Sequence, residues 1–142
     1  MRTQIGLLSI VGFLGLLATA NAQMTSASTT GTVFDGTYHF VTAAKVNPTY
    51  TSSKGDTAGC PDRTPGPLTI VHGQARYTTQ TGYELLGTVN PQGQLAMRLP
   101  PVANGGSRPL EMDATGGIDA NGAAHVRQRA SACSYDFAWQ KQ

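Results

Sequence analysis

The side chains that could perform acid–base, metal or nucleophilic chemistry are few in this chain and far apart in sequence. The three histidines, His39, His72 and His125, lack the spacing of a metal site. The two glutamates, Glu84 and Glu111, take outward positions on segments that alternate between apolar and polar residues. A serine in a G-x-S-x-G turn does not occur. We therefore predict surface histidines and neither a catalytic site, a metal site nor a cofactor.

The first 22 residues have the order of charge and hydrophobicity of a secretory signal peptide. Arg2 precedes an apolar run over residues 5–17, and an Ala-x-Ala motif ends at Ala22, with Ala20 as a second candidate exit. The run is shorter than the roughly 20 residues that a transmembrane helix needs. We predict cleavage of residues 1–22, a flexible polar lead-in over residues 23–31, and one domain over residues 32–142. We therefore expect an exported protein that is either periplasmic or secreted.

Export makes a disulfide the expected state of the two cysteines, Cys60 and Cys133. Compartments beyond the membrane are oxidising, and only one pairing exists. Neither cysteine belongs to a C-x-x-C motif, which argues against a metal ligand or a catalytic thiol. Closing a loop of this length stabilises a fold by about 4 kcal/mol in the chain-entropy model.

The charge balance argues against binding to nucleic acid or to an anionic membrane surface. The chain has 10 Lys and Arg and 8 Asp and Glu, and loss of Arg2 leaves 9 against 8. Both functions need a concentrated basic face. Glu111 and Asp113 can pair across strands with the arginines predicted to face outward, which are Arg76, Arg98, Arg127 and Arg129.

Period-two alternation of apolar and polar residues predicts an all-β domain. Glycine and proline recur every few residues after residue 32, and no stretch has the spacing of an amphipathic helix. Short connections predict an antiparallel meander, and we favour a small up-and-down barrel over a two-layer sandwich because closure removes exposed edges. The last strand would then pair with the first. About eight strands are expected, at residues 32–41, 68–71, 74–79, 83–89, 94–99, 109–118, 123–130 and 134–140.

Three turns predict the hairpin registers independently of the strand pattern. A type I turn with a glycine bulge at residues 90–93 places Val89 opposite Leu95, and the same geometry at residues 119–122 places Ile118 opposite Ala124. A two-residue turn at residues 72–73 places Ile70 opposite Ala75, with a positive φ at both turn positions. Each register puts the apolar residues on one face. Residues 87–93 and 116–122 also resemble each other, which we interpret as one hairpin solution used twice.

Residues 47–67 form the one long segment that this strand pattern does not explain. The segment is polar and rich in proline and glycine, and loops of this length inside compact domains are usually functional or disordered. Cys60 would tether it to the start of the last strand, and we expect the tether rather than packing to hold it. A second loop spans residues 104–108. If the protein binds a ligand, these loops or the barrel mouth are the expected place, and the candidate side chains are Tyr50, Lys54, Asp56, Asp62, Arg63 and Arg108.

Three short motifs resemble a loose group of small exported proteobacterial proteins without assigned function. They are FDGTY at residues 34–38, LTI at residues 68–70 before a His-Gly turn, and CSYDF at residues 133–137. The resemblance covers most of the mature chain. Because these motifs consist of hairpin and core residues, they imply no catalytic or binding residues.

The expected function is binding, by a monomer, of either a protein partner or a small apolar ligand. Exported eight-stranded barrels of this size include inhibitors of secreted proteases and lysozymes, which is an analogy of architecture alone. The alternative from another class is a structural or envelope-associated interaction module, and a hydrolase ranks third. An internal cavity would favour the ligand carrier, an exposed apolar patch the protein partner, and a cleft with histidine beside a carboxylate the enzyme.

Overall fold

The computed structural model describes residues 33–101 and 110–142, and these residues form β-strands, turns and irregular segments without a helix. Alternating residues on the strands are buried and exposed, as expected when one face of a sheet packs inward. The strands are β1 (Gly36–Lys45), β2 (Thr49–Thr51), β3 (Thr57–Gly59), β4 (Leu68–Val71), β5 (Gln74–Thr78), β6 (Glu84–Val89), β7 (Gln94–Arg98), β8 (Met112–Ile118), β9 (Ala123–Ala130) and β10 (Tyr135–Lys141).

Eight of the strands close into an antiparallel barrel in the order β1-β10-β9-β8-β7-β6-β5-β4. The predicted barrel is confirmed, and so is the pairing of the last strand with the first. Two details differ from the prediction. The first strand begins at Gly36 and continues to Lys45, and β2 and β3 pair as a separate hairpin inside the segment predicted as a loop. Three-residue strands are too short for period-two alternation to be recognised.

All three predicted hairpin registers are confirmed. His72 has a φ of 50° and Gly73 a φ of 73°, so both positions of the two-residue turn adopt the left-handed conformation that the register requires. The same faces therefore point inward on both strands of each hairpin. The partner pairs are Ile70–Ala75, Val89–Leu95 and Ile118–Ala124.

The two similar segments are the same strand-and-turn structure. The Oδ1 atom of Asn90 accepts hydrogen bonds from the N–H groups two and four residues later, at 3.0 and 2.9 Å. Asp119 accepts in the same way, at 2.8 and 3.0 Å. Each turn ends at a glycine with positive φ, Gly93 at 79° and Gly122 at 77°. The sequence similarity thus reflects one solution for a four-residue turn, used at the end of β6 and again at the end of β8.

Two inward-facing glycines let neighbouring strands approach closely enough for the barrel to close. A Cβ atom at Gly87 would overlap the backbone of β7 at Ala96, and one at Gly116 would overlap the backbone of β9 at His125. A glycine inside a strand often marks such a close backbone approach or a bend at a barrel corner. Both glycines belong to the similar segments, so the shared structure includes the close approach as well as the turn.

A row of aromatic side chains on β10 fills much of the barrel interior. The rings of Tyr135 and Phe137 stack with their centroids 5.7 Å apart, and Phe137 meets the edge of Trp139 at 5.6 Å. Tyr77 on β5 contacts Trp139 from across the barrel at 5.2 Å. Such ring pairs contribute about 0.5 to 1.5 kcal/mol beyond their burial. The other fully buried side chains of large volume are Tyr38, Leu68, Ile70, Leu85 and Val89.

The two ends of the barrel differ in the length of their connections. One end, here called the turn end, has the tight turns at residues 72–73, 90–93 and 119–122. The opposite end, here called the loop end, has the connections at residues 46–67, 79–83 and 131–134, and β7 ends and β8 begins there as well. Loops on a rigid scaffold are where binding residues concentrate. Binding residues are therefore expected at the loop end.

Alanine at Gly116 should destabilise the fold, whereas alanine at the adjacent Gly117 should not. The new Cβ of Gly116→Ala would meet backbone atoms of β9, and overpacking of this kind costs about 1 to 3 kcal/mol. At Gly117 the nearest atom is 3.7 Å away, so Gly117→Ala should change the unfolding free energy by less than about 1 kcal/mol. Urea unfolding of both variants measures the difference. Equal stabilities would show that Gly116 is not required for strand approach.

The Asp35 carboxylate fastens β1 to the first turn at the turn end. It accepts hydrogen bonds from the backbone N–H groups of His72 at 2.8 Å and Gly73 at 3.1 Å. The bond from Gly73 is the largest cause that holds the pKa of Asp35 below its ordinary value, and the bond from His72 acts in the same direction. The carboxylate form is therefore bound more favourably in the folded state than in the unfolded one.

Replacement of Asp35 with asparagine should destabilise the protein in a pH-dependent way. Because the folded pKa is lowered, the contribution of Asp35 is fully present above the unfolded value of about 3.9 and is lost as pH falls through the folded value. The stability difference between wild type and Asp35→Asn should therefore shrink on acidification below about pH 4. Chemical unfolding across this range measures it, with Asp56→Asn on the exposed β2–β3 turn as the control. A difference independent of pH would contradict the assignment.

Candidate functional site

A segment spanning residues 60–67, here called the cover segment, lies across the loop end of the barrel. Its first residue, Cys60, forms the predicted disulfide with Cys133, and the two Cα atoms are 5.7 Å apart. Pro65 in its middle is buried. The long connection is therefore a shaped surface structure.

Hydrogen bonds from the barrel hold the cover segment along its length. The hydroxyl of Tyr135 donates to the carbonyl of Pro61 at 2.9 Å, and the indole N–H of Trp139 donates to the carbonyl of Gly66 at 3.0 Å. Two further bonds reach the connection after β5. They are Thr64 N–H to Gln80 Oε1 and Gly66 N–H to the Thr78 carbonyl, each at 2.8 Å. The disulfide was expected to hold this segment in place of packing; hydrogen bonds from polar atoms of buried aromatic residues hold it as well.

Asn47 fastens the start of the long connection to the connection between β9 and β10. Its Nδ2 donates to the carbonyl of Ala132 at 2.8 Å, and its Oδ1 accepts from the N–H of Ser134 at 2.8 Å. These bonds lie beside the disulfide, because Asn47 Nδ2 is also 3.6 Å from the sulfur of Cys60. The two ends of the β2–β3 hairpin are therefore both fixed to the β9–β10 connection, one by Asn47 and the other by the disulfide of Cys60.

A cavity of about 300 Å³ lies between the cover segment and strands β8 to β10. Its volume is at the lower end of the range for small-molecule sites. Its apolar walls come from Pro61, Pro65, Leu110, Met112 and Phe137. Its polar lining includes Arg63, Thr79, Gln80, Gln128 and Tyr135.

Gln128 is a deeply buried polar side chain of the cavity lining, with 5% of its surface exposed. Its Oε1 lies 2.6 Å from the hydroxyl of Tyr77. Burial, reinforced by the charge of Asp113, raises the pKa of Tyr77 above its ordinary value, so the hydroxyl keeps its proton. Since Tyr77 has no other hydrogen-bond partner among the described residues, the hydroxyl donates and Gln128 accepts.

The amide nitrogen of Gln128 is the polar atom of this side chain that is left without a partner in the described part of the chain. It makes no hydrogen bond within residues 33–101 and 110–142. In this part of the chain, every side-chain nitrogen or oxygen that is sealed from solvent has a hydrogen-bond partner. Because Nε2 has none, it is not sealed, and we infer that solvent reaches it through the cavity that Gln128 lines. Burying an amide nitrogen without a partner is costly. The cavity thus presents an unused pair of N–H donors.

The described part of the lining carries a positive charge. Among the described lining residues Arg63 alone has a formal charge, and none of the ion pairs in the described part of the chain involves it. The neighbouring Asp62 lies outside the cavity and pairs with Lys45 at 2.8 Å. Hydrogen bonding to Lys45 holds the pKa of Asp62 below its ordinary value. The nearest carboxylate in sequence is therefore occupied by another cation.

The structure brings together only part of the predicted set of binding residues. Tyr50 and Arg63 both line the cavity. Lys54 and Asp56 lie at the exposed end of the β2–β3 hairpin, and Asp62 points away into its ion pair. Arg108 lies outside the described residues.

The sequence analysis missed Gln128 and Thr79, which complete the polar lining. Gln128 is two residues from Val126 on β9, so the alternation that places Val126 inside also places Gln128 inside. Thr79 follows the same rule after Tyr77, and its hydroxyl accepts from the Tyr83 N–H at 3.0 Å. Polar residues in phase with a buried face were the available signal.

The remaining chemical groups take the surface positions expected of them. The three histidines are exposed, and within the described part no three metal-ligating side chains come together. Arg127 binds Asp136 through two hydrogen bonds of 2.7 and 2.8 Å, which is the largest cause lowering the pKa of Asp136. The other outer ion pairs are Arg129–Asp113 and Arg76–Glu84, at 3.4 and 4.0 Å. The outward arginines thus form a largely paired wall.

No protein-family model, curated protein or solved structure matches the chain. In the described ranges, no helix has the length and hydropathy to cross a membrane.

Replacing both cysteines with serine should destabilise the protein by about 2 to 5 kcal/mol, the usual range for small exported domains. The effect on the long connection should be uneven. Trypsin should cut faster after Lys54, because the hairpin loses its anchor at Cys60. Cleavage after Arg63 should stay slow, because the following residues keep their bonds to Gln80, Thr78 and Trp139.

Limited proteolysis of the double variant beside the wild type, with mass spectrometry of the fragments, measures both rates. Thiols of the wild type are counted under denaturing, non-reducing conditions as the control. Two free thiols, or equal cleavage after Lys54 in both proteins, would contradict the structural role of the disulfide.

Proposed function

We propose that the protein binds a small, largely apolar molecule in the cavity at the loop end of the barrel. The observation that carries the proposal is the cavity itself, whose lining combines apolar walls with several polar groups. Ligand sites have this composition because apolar contact supplies affinity while a few polar atoms fix orientation.

The packing of the rest of the barrel supports this choice. The apolar side chains of the core are 0–6% exposed, and the cavity lies where the cover segment meets the barrel; larger depressions lie along β9 and β10 and beside residues 110–113. A core that had only to be stable would fill that space with side chains, since voids cost stability. An open donor on Gln128 in the same place also favours a binding role.

The lining favours binding over hydrolysis. The residues around the cavity include hydroxyl groups on Thr79 and Ser131 but no histidine, aspartate or glutamate among the described residues. A hydroxyl nucleophile needs an adjacent base, and glycoside hydrolysis needs paired carboxylates. The lining offers hydrogen-bond donors and one cation, which suit recognition.

The outer surface gives less support to a protein partner. The large apolar side chains that are exposed include Val41 on β1, Val71 on β4 and Leu86 on β6. Exposed apolar residues scattered singly are normal on soluble domains, whereas an interface needs a contiguous patch.

Calorimetric titration with 1-octanol tests the proposal. The wild type should bind saturably, and Ala130→Leu should weaken binding at least about tenfold, since Ala130 lines the cavity and a larger side chain occupies its volume. Ala96→Leu is the matched control, because Ala96 faces outward on β7. Absence of saturable binding, or equal affinity in Ala130→Leu and wild type, would overturn the proposal.

A further inference from the structure

We infer that the molecule bound in this cavity carries a carboxylate, held between the guanidinium of Arg63 and the side-chain amide of Gln128. This inference rests on the proposed function and adds the chemical class of the ligand, a small monocarboxylic acid with an apolar chain. Two independent features of the lining support it.

The first feature is the directed donor on Gln128. Its oxygen is occupied by the Tyr77 hydroxyl, which leaves the nitrogen as the atom available to the cavity that Gln128 lines. An amide nitrogen only donates, so the ligand atom opposite it must be an acceptor. Gln128 is only 5% exposed, so few water molecules compete for its amide donor.

The second feature is the guanidinium of Arg63, which has no ion-pair partner in the described part of the chain. Among the described residues, the lining contains Arg63 and no carboxylate; Glu111 lies between two lining residues but does not itself line the cavity. Asp62 pairs with Lys45, and the outer-wall pairs account for Asp113 and Asp136. An anionic ligand would supply the missing charge in a pocket whose apolar walls strengthen the attraction.

The number and type of donors favour a carboxylate over a phosphate. A guanidinium and a carboxylate form two parallel hydrogen bonds in one plane, and the amide of Gln128 can add a third bond. A single arginine balances one negative charge, whereas a phosphate monoester carries nearly two at neutral pH. The volume of about 300 Å³ between apolar walls then suits a short or medium acyl chain.

Three probes of equal chain length separate the head group from the chain: octanoate, 1-octanol and octylamine. Near neutral pH the wild type should bind octanoate at least about tenfold more tightly than 1-octanol, a difference of roughly 1.4 kcal/mol, and octylamine most weakly. Added salt should reduce the preference for octanoate, because part of it is electrostatic.

Two variants assign the preference to the named side chains. Arg63→Gln should remove most of the preference for octanoate, so that octanoate and 1-octanol bind to this variant with affinities within about twofold of each other. Arg98→Gln, on the outer face of β7, is the matched control for the change in net charge and should keep the preference. Gln128→Glu keeps an acceptor for the Tyr77 hydroxyl but turns an anion toward the cavity, so octylamine should then bind better than octanoate.

The outcomes distinguish this inference from the proposed function. Equal affinity for octanoate and 1-octanol in the wild type would overturn the carboxylate assignment and leave the apolar cavity in place. A preference for octanoate that survives Arg63→Gln would also overturn it. No saturable binding of any of the three probes would remove the proposed function itself. Circular dichroism of each variant ensures that only folded protein is compared, and Arg63→Gln tests the assignment even if Gln128→Glu does not fold.

Discussion

The aromatic row on β10 is the interaction on which both the barrel and its loop end depend. Tyr135, Phe137 and Trp139 supply apolar surface to the interior, while the hydroxyl of the first and the indole N–H of the last bind the cover segment. Buried tyrosine and tryptophan need a partner for their polar atoms. By using backbone carbonyls of residues 61 and 66 as those partners, the core determines where an otherwise irregular segment lies. β10 also pairs with β1 to close the sheet.

The division of the barrel into two ends follows from this arrangement. At the turn end, side-chain caps such as Asp35 and repeated four-residue turns use up the backbone donors locally. At the loop end, the long connection is held both by Tyr135 and Trp139 from inside the barrel and by Asn47 and Gln80 from the connections themselves. The cavity forms there because the cover segment is held at fixed points over the aromatic row without descending into it. The tight turns and the candidate cavity therefore lie at opposite ends of one sheet.

Much of the barrel could be predicted from sequence because its constraints are local. Alternation places Leu95 and Met97 inside, and turn residues such as Gly93 fix the register of the hairpin. The disulfide followed from the expectation of export together with the presence of two cysteines. The cover segment could not be predicted in this way, because its contacts join residues far apart in sequence. Thr64 bonds to Gln80, and Gly66 to Trp139.

The candidate site was found only in part, for a related reason. The loop composition pointed to Tyr50 and Arg63, but it pointed equally to Lys54 and Asp56, which the β2–β3 hairpin carries away. Gln128 was predictable as an inward residue from its phase on β9, yet only the three-dimensional arrangement separates its occupied oxygen from its open nitrogen. The role of a buried polar residue depends on which of its atoms are satisfied, and sequence periodicity gives only its direction.

The hydrogen bond between Trp139 and Gly66 makes the fluorescence of Trp139 sensitive to the position of the cover segment. Trp139 is the single tryptophan in the chain, so its fluorescence arises from one defined position. Its indole is 1% exposed and bonded to a carbonyl of the cover segment. Lifting of that segment would break the bond and admit water, and emission of the indole would move to longer wavelength. Tryptophan emission can therefore follow motions of the cover segment in unlabelled protein. The far-ultraviolet circular dichroism of the strands reports global unfolding separately.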